Sequence, residues 1–235
     1  MSPKFDTVAA PDILFRVGRR HDVWEWRGWE SAGPDGTFGH RWDDPKSNYR
    51  VLYASCDRLG AYLEVLAWFR PDLEIVAVYA NIKDNDPAAP PTNAPGRLRS
   101  LWRAARILGR GASDGVPDPL VAVGRSASLA TIRRALAGVA LKHGLQDINA
   151  EMIRRTAPRR FTQEVSRFIC EQVLPHDSRY GGIFYLSRYG DDVENRAIFE
   201  RDGEPCPMTH LERRGISLDD EDSLEACRLL DIQPE

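Results

Sequence analysis

The chain has 235 residues, 42% of them apolar and 29% charged, with a formal charge of −3 at pH 7. This composition excludes a disordered, collagen-like or low-complexity chain, and no apolar run approaches the ~20 residues of a membrane-spanning helix. The near-neutral total excludes a globally basic nucleic-acid binder, yet it conceals a division along the chain. Residues 97–167 carry fourteen Lys and Arg against five Asp and Glu, whereas 191–235 carry five Arg against fourteen acids. A local basic surface is therefore still open. Lys4, Asp6, Pro11, Asp12 and Arg16 interrupt the N-terminal stretch, so no signal peptide is expected. Cys56, Cys170, Cys206 and Cys227 show no CxxC spacing, which predicts neither a disulfide framework nor a zinc site and points to a cytoplasmic setting.

Taken in chain order, Ile13 to Val17 predicts a strand. Trp24, Trp26 and Trp29 follow, then the glycine-rich loop Gly33-Pro-Asp-Gly-Thr-Phe-Gly39. Val51 to Ala54 is a short β-prone run. Ser55 is the expected helix cap, with Asp57 in the first turn, and Arg58 to Phe69 is the expected helix, stopped by Pro71. Leu73 to Ile82 predicts a strand from its β-branched run. Residues 84–96 hold four prolines and predict a loop. Helices are expected at Arg97 to Leu108, Leu129 to His143, Asp147 to Arg155 and Phe161 to Leu174. Strand character returns at Gly182 to Ser187 and Arg196 to Glu200, and a short acidic helix is expected at Asp222 to Leu230. Strands at both ends with helices between them predict an α+β fold whose late strands join the early sheet.

No GxGxxG follows a strand, and Walker, HExxH and GxSxG motifs are absent. The five histidines have no ligand spacing, so no metal site is expected. Glu64 is the first anomaly. Its helical neighbours Gly60, Ala61, Ala67 and Trp68 offer no cation, so the carboxylate either reaches a solvent edge or sits in a pocket with a distant partner. Arg41 follows the glycine loop and precedes Trp42, which suits phosphate recognition, although surface arginines are common. Tyr53 ends a strand just before the Glu64 helix, where a half-buried tyrosine is also ordinary. Ser187 closes a strand beside Arg188, a position equally suited to a turn. Four of the six tryptophans lie between residues 24 and 42, enough for an aromatic wall, with core packing as the commoner explanation.

The stretches Phe38-Gly-His-Arg-Trp-Asp43, Val51-Leu-Tyr-Ala-Ser55 and Ala61-Tyr-Leu-Glu-Val-Leu66 together resemble the RES domain family. So do Arg160-Phe-Thr-Gln-Glu-Val-Ser-Arg-Phe-Ile169, Gly181-Gly-Ile-Phe-Tyr-Leu-Ser-Arg188 and Arg196-Ala-Ile-Phe-Glu200, and Arg16 in Leu-Phe-Arg-Val matches an arginine common near the family's start. The resemblance spans roughly residues 13–82 and 157–200. It implies a fold similar to ADP-ribosyltransferases: one domain over 1–235, with a proline-rich loop and helical insertion at about 84–158 and an acidic tail at about 201–235. It also implies an NAD-consuming activity, typically of a bacterial toxin paired with a helix-turn-helix antitoxin. NAD would be the substrate, with no permanent cofactor. By motif, the family's arginine is Arg41, its tyrosine Tyr53, its glutamate Glu64 and its serine Ser187. Departures are His40 where the family has a small residue, Asp43 where it has Asn, Leu186 for a frequent proline, and a longer middle segment.

Under that resemblance Glu64 stabilises the cationic transition state, Arg41 holds the pyrophosphate or ribose side, Tyr53 stacks on nicotinamide and Ser187 orients substrate, with Arg16 a second phosphate contact. One alternative keeps the fold but transfers ADP-ribose or phosphoribose to a protein or nucleic acid. Another is a non-enzymatic module that binds RNA or an acidic protein through an arginine-rich helix at 97–110, against which stands the simpler reading of a solvated helix face. Self-association is open, and neither membrane association nor direct nucleic-acid binding is expected.

Overall fold

The computed structural model describes residues 3–20, 23–81, 96–117, 119–155 and 158–235. Among them are ten strands: β1 (Thr7–Val8), β2 (Ile13–Arg19), β3 (Val51–Ser55), β4 (Arg97–Leu98), β5 (Arg106–Ala112), β6 (Leu120–Ala122), β7 (Gly182–Leu186), β8 (Glu194–Phe199), β9 (Thr209–Gly215) and β10 (Gln233–Pro234). The helices are α1 (Arg58–Leu66), α2 (Leu73–Asn81), α3 (Ser100–Ala104), α4 (Ser126–Lys142), α5 (Ala150–Arg154), α6 (Arg159–Cys170) and α7 (Glu221–Leu229). Eight strands form a mixed sheet in the order β1-β6-β7-β8-β3-β2-β5-β9, and β4 and β10 form a separate parallel pair. The α+β class holds, and the late strands do join the early ones: β8 pairs antiparallel with β3 along its whole length.

Alternation along β3 and β8 sends side chains to two cores. Val51, Ala197 and Phe199 face a large core built with Ile132, Phe161, Val165 and Ile169 of α4 and α6, while Leu52, Ala54 and Ile198 face a second core with Trp24 and Leu14. A third core, centred on Tyr62, Leu63 and Leu66 of α1 and on Ala226 and Cys227 of α7, covers Val17 and Leu108. The sheet is divided at one place. β2 and β5 pair over seven residues, but β2 meets β3 only at Phe15↔Ser55. Beyond that pair the two strands diverge and leave a cleft between Arg16 and Tyr53.

Several sequence expectations need correction. The run from Leu73 is helix α2, not a strand: the Asp72 side chain accepts from Glu74 N at 2.8 Å and its carbonyl from Val76 N at 2.9 Å, so a helix start follows Pro71. Ile82 and residues 84–95 lie outside the described residues. Arg97 to Leu108 is not one helix but β4, α3 and the start of β5. β5 lies between β2 and β9 and β6 joins β7, so the stretch expected to be a helical insertion contributes two strands to the main sheet. Strand β5 was obscured by its arginine spacing and by glycines. A Cβ on Gly111 would come within 2.8 Å of the Trp24 indole, so the glycine leaves room for that ring on the sheet. The helix cap at α1 is Asp57, whose carboxylate accepts from Gly60 N at 2.6 Å, and not Ser55. In the acidic tail, β9 pairs with β5 and α7 packs on α1.

Candidate active site

Helix α1 carries Glu64 and is set close against β3. A Cβ on Gly60 would stand 2.3 Å from Ser55 Oγ and 2.9 Å from Val193 Cγ1, so only glycine permits this approach. Glu64 is half-buried, and its Oε1 accepts two hydrogen bonds, from Ser187 Oγ at 2.7 Å and from Asn195 Nδ2 at 2.9 Å. Both donors are buried, with 1% exposure each. Ser187 Oγ is itself oriented by accepting from Tyr189 N at 3.1 Å. Among the described residues Oε2 has no hydrogen-bond partner and Glu64 has no ion pair. The sequence alternatives of solvent edge and pocket thus resolve toward a carboxylate pinned through one oxygen, with the other left to a cavity.

That cavity, about 430 Å³, opens where β2 leaves β3. Arg16, Arg41, Tyr53 and Glu64 line it together, whereas Ser187 stands behind Glu64 as its hydrogen-bond donor. Arg41 does not ride on an adaptable loop. Its Nη1 donates to the carbonyls of Arg154 at 3.0 Å and Ile153 at 3.3 Å, and the guanidinium lies over the rings of Trp42 and Tyr185, 5.0 and 4.7 Å from their centroids. The backbone around it is held as firmly: Gln163 Nε2 donates to His40 O at 3.0 Å and Ser166 Oγ to Trp42 O at 2.6 Å. Buried Asp43 accepts from His40 N at 2.7 Å and from the Tyr53 hydroxyl at 3.2 Å, while that hydroxyl accepts from Trp42 N at 3.0 Å. Burial, and then the Asp43 charge, hold the Tyr53 phenol well above its ordinary range, so it stays protonated. Burial and the Glu64 charge do the same at Tyr185.

Sequence reasoning missed several of these residues. Asn195, Tyr185 and the cavity arginines Arg106, Arg154, Arg159 and Arg188 come from separate elements, and no local spacing marks them. Asn195 lies within β8 one position before the Arg196 stretch, a polar side chain with 1% exposure whose only sequence signal is an amide between charged residues. Of the two readings of the tryptophans between 24 and 42, core packing holds for Trp24 and Trp42, and no aromatic wall of these residues stands at the cavity. The indoles lining the cavity are Trp68 and Trp102. The arginine-rich helix at 97–110 does not exist as one face: Arg103 is buried, Arg106 lines the cavity and Arg110 is exposed on β5 opposite Glu212.

With six arginines and one carboxylate, the lining is built for a polyanionic ligand presented to a fixed acid. Among the described residues no group of three or more His, Cys, Asp or Glu is placed to hold a metal ion, and no helix is long and apolar enough to cross a membrane. A divided mixed α+β sheet with a pinned glutamate in an arginine-lined cleft defines the class. The RES domain matches residues 13–214, which include every residue of the cleft, and the chain belongs to that family. Among solved structures it is similar to a chain of the M. tuberculosis MbcT–MbcA toxin–antitoxin complex, at 12% identity and a TM-score of 0.53, over 96% of this chain and 92% of that one. That likeness concerns the fold. No curated protein matches the chain.

Proposed function

We propose that the protein is an enzyme that consumes NAD by cleaving its nicotinamide–ribose bond, through hydrolysis or phosphorolysis, as the toxin of a bacterial toxin–antitoxin pair. The observation that carries this reading is Glu64, pinned through Oε1 with Oε2 free for substrate inside a cleft that otherwise carries arginines. In NAD the C1′–N bond breaks with its electron pair going to the pyridinium nitrogen, so nicotinamide leaves neutral and positive charge develops on the ribose. A carboxylate held at that ring stabilises the oxocarbenium-like state, as in glycoside cleavage, and accepts from a ribose hydroxyl. Water or phosphate then adds to C1′. Ser187 and Asn195 keep Glu64 in place at the moment charge develops, so Ser187 acts through the glutamate. Arg41, with Arg16, meets the pyrophosphate, and the ring of Tyr53 offers a face to nicotinamide.

Membership of the RES family supports the activity, and the fold shared with a chain of a toxin–antitoxin complex supports an antitoxin as partner; that the antitoxin is of the helix-turn-helix kind is part of the proposal. The test is incubation with NAD, with and without phosphate, while nicotinamide and the sugar product are followed. Free ADP-ribose denotes hydrolysis and its 1″-phosphate denotes phosphorolysis. Label from NAD carried onto a macromolecule denotes transfer. Glu64→Gln keeps the fold, by circular dichroism, and lowers turnover by about a hundredfold or more, the scale for losing electrostatic stabilisation of a transition state. Normal turnover in that variant removes the assignment.

A further inference from the structure

Trp68 is 80% exposed, an unusual setting for an indole, and it nevertheless lines the cleft. It sits four residues beyond Glu64, in the 3-10 turn Ala67–Phe69 that directly follows α1. Next to it the Phe69 and Trp102 rings pack edge to face with centroids 5.7 Å apart, and both line the same cavity. The Arg106 guanidinium lies 5.5 Å from the Trp102 centroid. It has no ion pair among the described residues, and burial together with neighbouring Arg19 makes its positive charge harder to hold. The cleft therefore has two separately organised groups. One is Arg41 and Tyr53 with the Glu64 carboxylate. The other is Trp68, Phe69, Trp102 and Arg106, a wet indole face beside a cation short of counter-charge.

We propose that Trp68, Trp102 and Arg106 form a distal subsite that binds a nucleotide base and its adjacent phosphate, here the adenylate end of the dinucleotide. This rests on the reading of the cleft as an NAD site. Two conditions on the ligand follow from the chemistry. An exposed indole gains by covering its face with another flat π-system, and base–aromatic stacking tolerates any base. An uncompensated arginine beside that face gains from an anion within reach of the same ring system. A nucleoside phosphate supplies both; a free sugar, an acyl chain or inorganic phosphate supplies at most one. The subsite binds and positions, and it leaves the chemistry to Glu64.

The test compares NAD with nicotinamide mononucleotide, which carries the same scissile bond but no adenylate end. In Trp68→Ala the preference for NAD over the mononucleotide, read as the ratio of kcat/KM values, falls about tenfold, through KM for NAD. Trp68→Phe, which keeps a ring, retains most of it, and Arg106→Gln lowers it as well. In parallel, calorimetric titration of the whole protein with ADP gives a Kd weakened about tenfold by Trp68→Ala and by Arg106→Gln. The exposed position of Trp68 makes folding of that variant a minor concern, and Trp68→Phe controls for it. Equal losses for both substrates, or unchanged ADP binding in both variants, overturn the subsite. If the wild type cleaves neither substrate while ADP binding still depends on Trp68 and Arg106, the proposed activity falls and the subsite stands. If NAD is cleaved and ADP binding ignores both residues, the subsite falls and the activity stands.

Discussion

Asn195 and Ser187 are the smallest units on which the site depends. Each contributes one hydrogen bond to Glu64 Oε1 from a fully buried position, and a hydrogen bond to a charged group is worth about 1.5–3 kcal/mol. Losing one donor frees the carboxylate to rotate away from the reacting ring. Ser187→Ala and Asn195→Ala therefore each lower kcat for nicotinamide release about tenfold or more while KM for NAD changes little, as steady-state kinetics would read. Asn195→Asp does worse than Asn195→Ala, because a second carboxylate at 2.9 Å repels the first. A loss confined to KM would move both residues out of the positioning role. Arg41 illustrates a different economy. Two backbone carbonyls and two aromatic rings fix its guanidinium, so a lysine there, with one compact cationic head, reproduces neither set of contacts.

At the scale of elements, helix α1 connects folding to chemistry. It begins at the Asp57 cap, approaches β3 at Gly60, and is tied to α7 by Arg58, which donates to Asp220 at 2.9 Å and forms an ion pair with Asp222 at 2.8 Å. Asp220 in turn caps α7 by accepting from Ser223 N at 3.0 Å. Asp57→Ala is expected to cost about 1 kcal/mol of stability, the usual worth of a helix cap, read from urea unfolding. Gly60→Ala, which in an open helix would be mildly stabilising, instead costs about 1–3 kcal/mol here, since the methyl has to displace Ser55 and Val193. It also shifts Glu64, so activity falls at temperatures where the variant is still folded. A neutral or stabilised Gly60→Ala would show that α1 does not press on β3.

For the molecule as a whole, the division between β2 and β3 decides where a ligand can enter, and the remaining strand pairs have to hold the sheet together across it. Closure on the β3–β8 side is reinforced by Arg50, whose Nε donates to Glu200 Oε2 at 2.7 Å and whose Nη2 pairs with Oε1, with Glu200 buried at the end of β8. Glu200→Gln loses a bidentate charge-assisted contact and is expected to cost about 1.5–3 kcal/mol in denaturant unfolding, without altering KM for NAD. The charge division in the sequence also acquires a structural meaning. Arg97 pairs with Glu235 and Arg154 with Asp191, so part of the basic middle and the acidic end do cancel within one chain. Arg106, Arg154 and Arg159, also from the basic middle, line the cleft.

The amino-acid sequence by itself determined the α+β class, the helices α1, α4, α6 and α7, the strands β2, β3, β7 and β8, and Arg41, Tyr53, Glu64, Ser187 and Arg16 as candidates. These rest on local signals: apolar periodicity, Pro71 as a stop, and ordered motifs within short stretches. Strand β5 was illegible because its place between β2 and β9 depends on partners nearly a hundred residues away on both sides. Helix α2 was misread because β-branched residues carry a strand propensity that a capped start after Pro71 overrides. Only the tertiary structure decided that Glu64 faces a cavity and not solvent, that Ser187 stands behind Glu64 as its hydrogen-bond donor, and that Asn195, Trp68, Trp102 and Arg106 belong to the same cleft. Each of those facts is a distance between residues remote in sequence. Chain spacing carries no record of such distances; packing three cores around a divided sheet sets them.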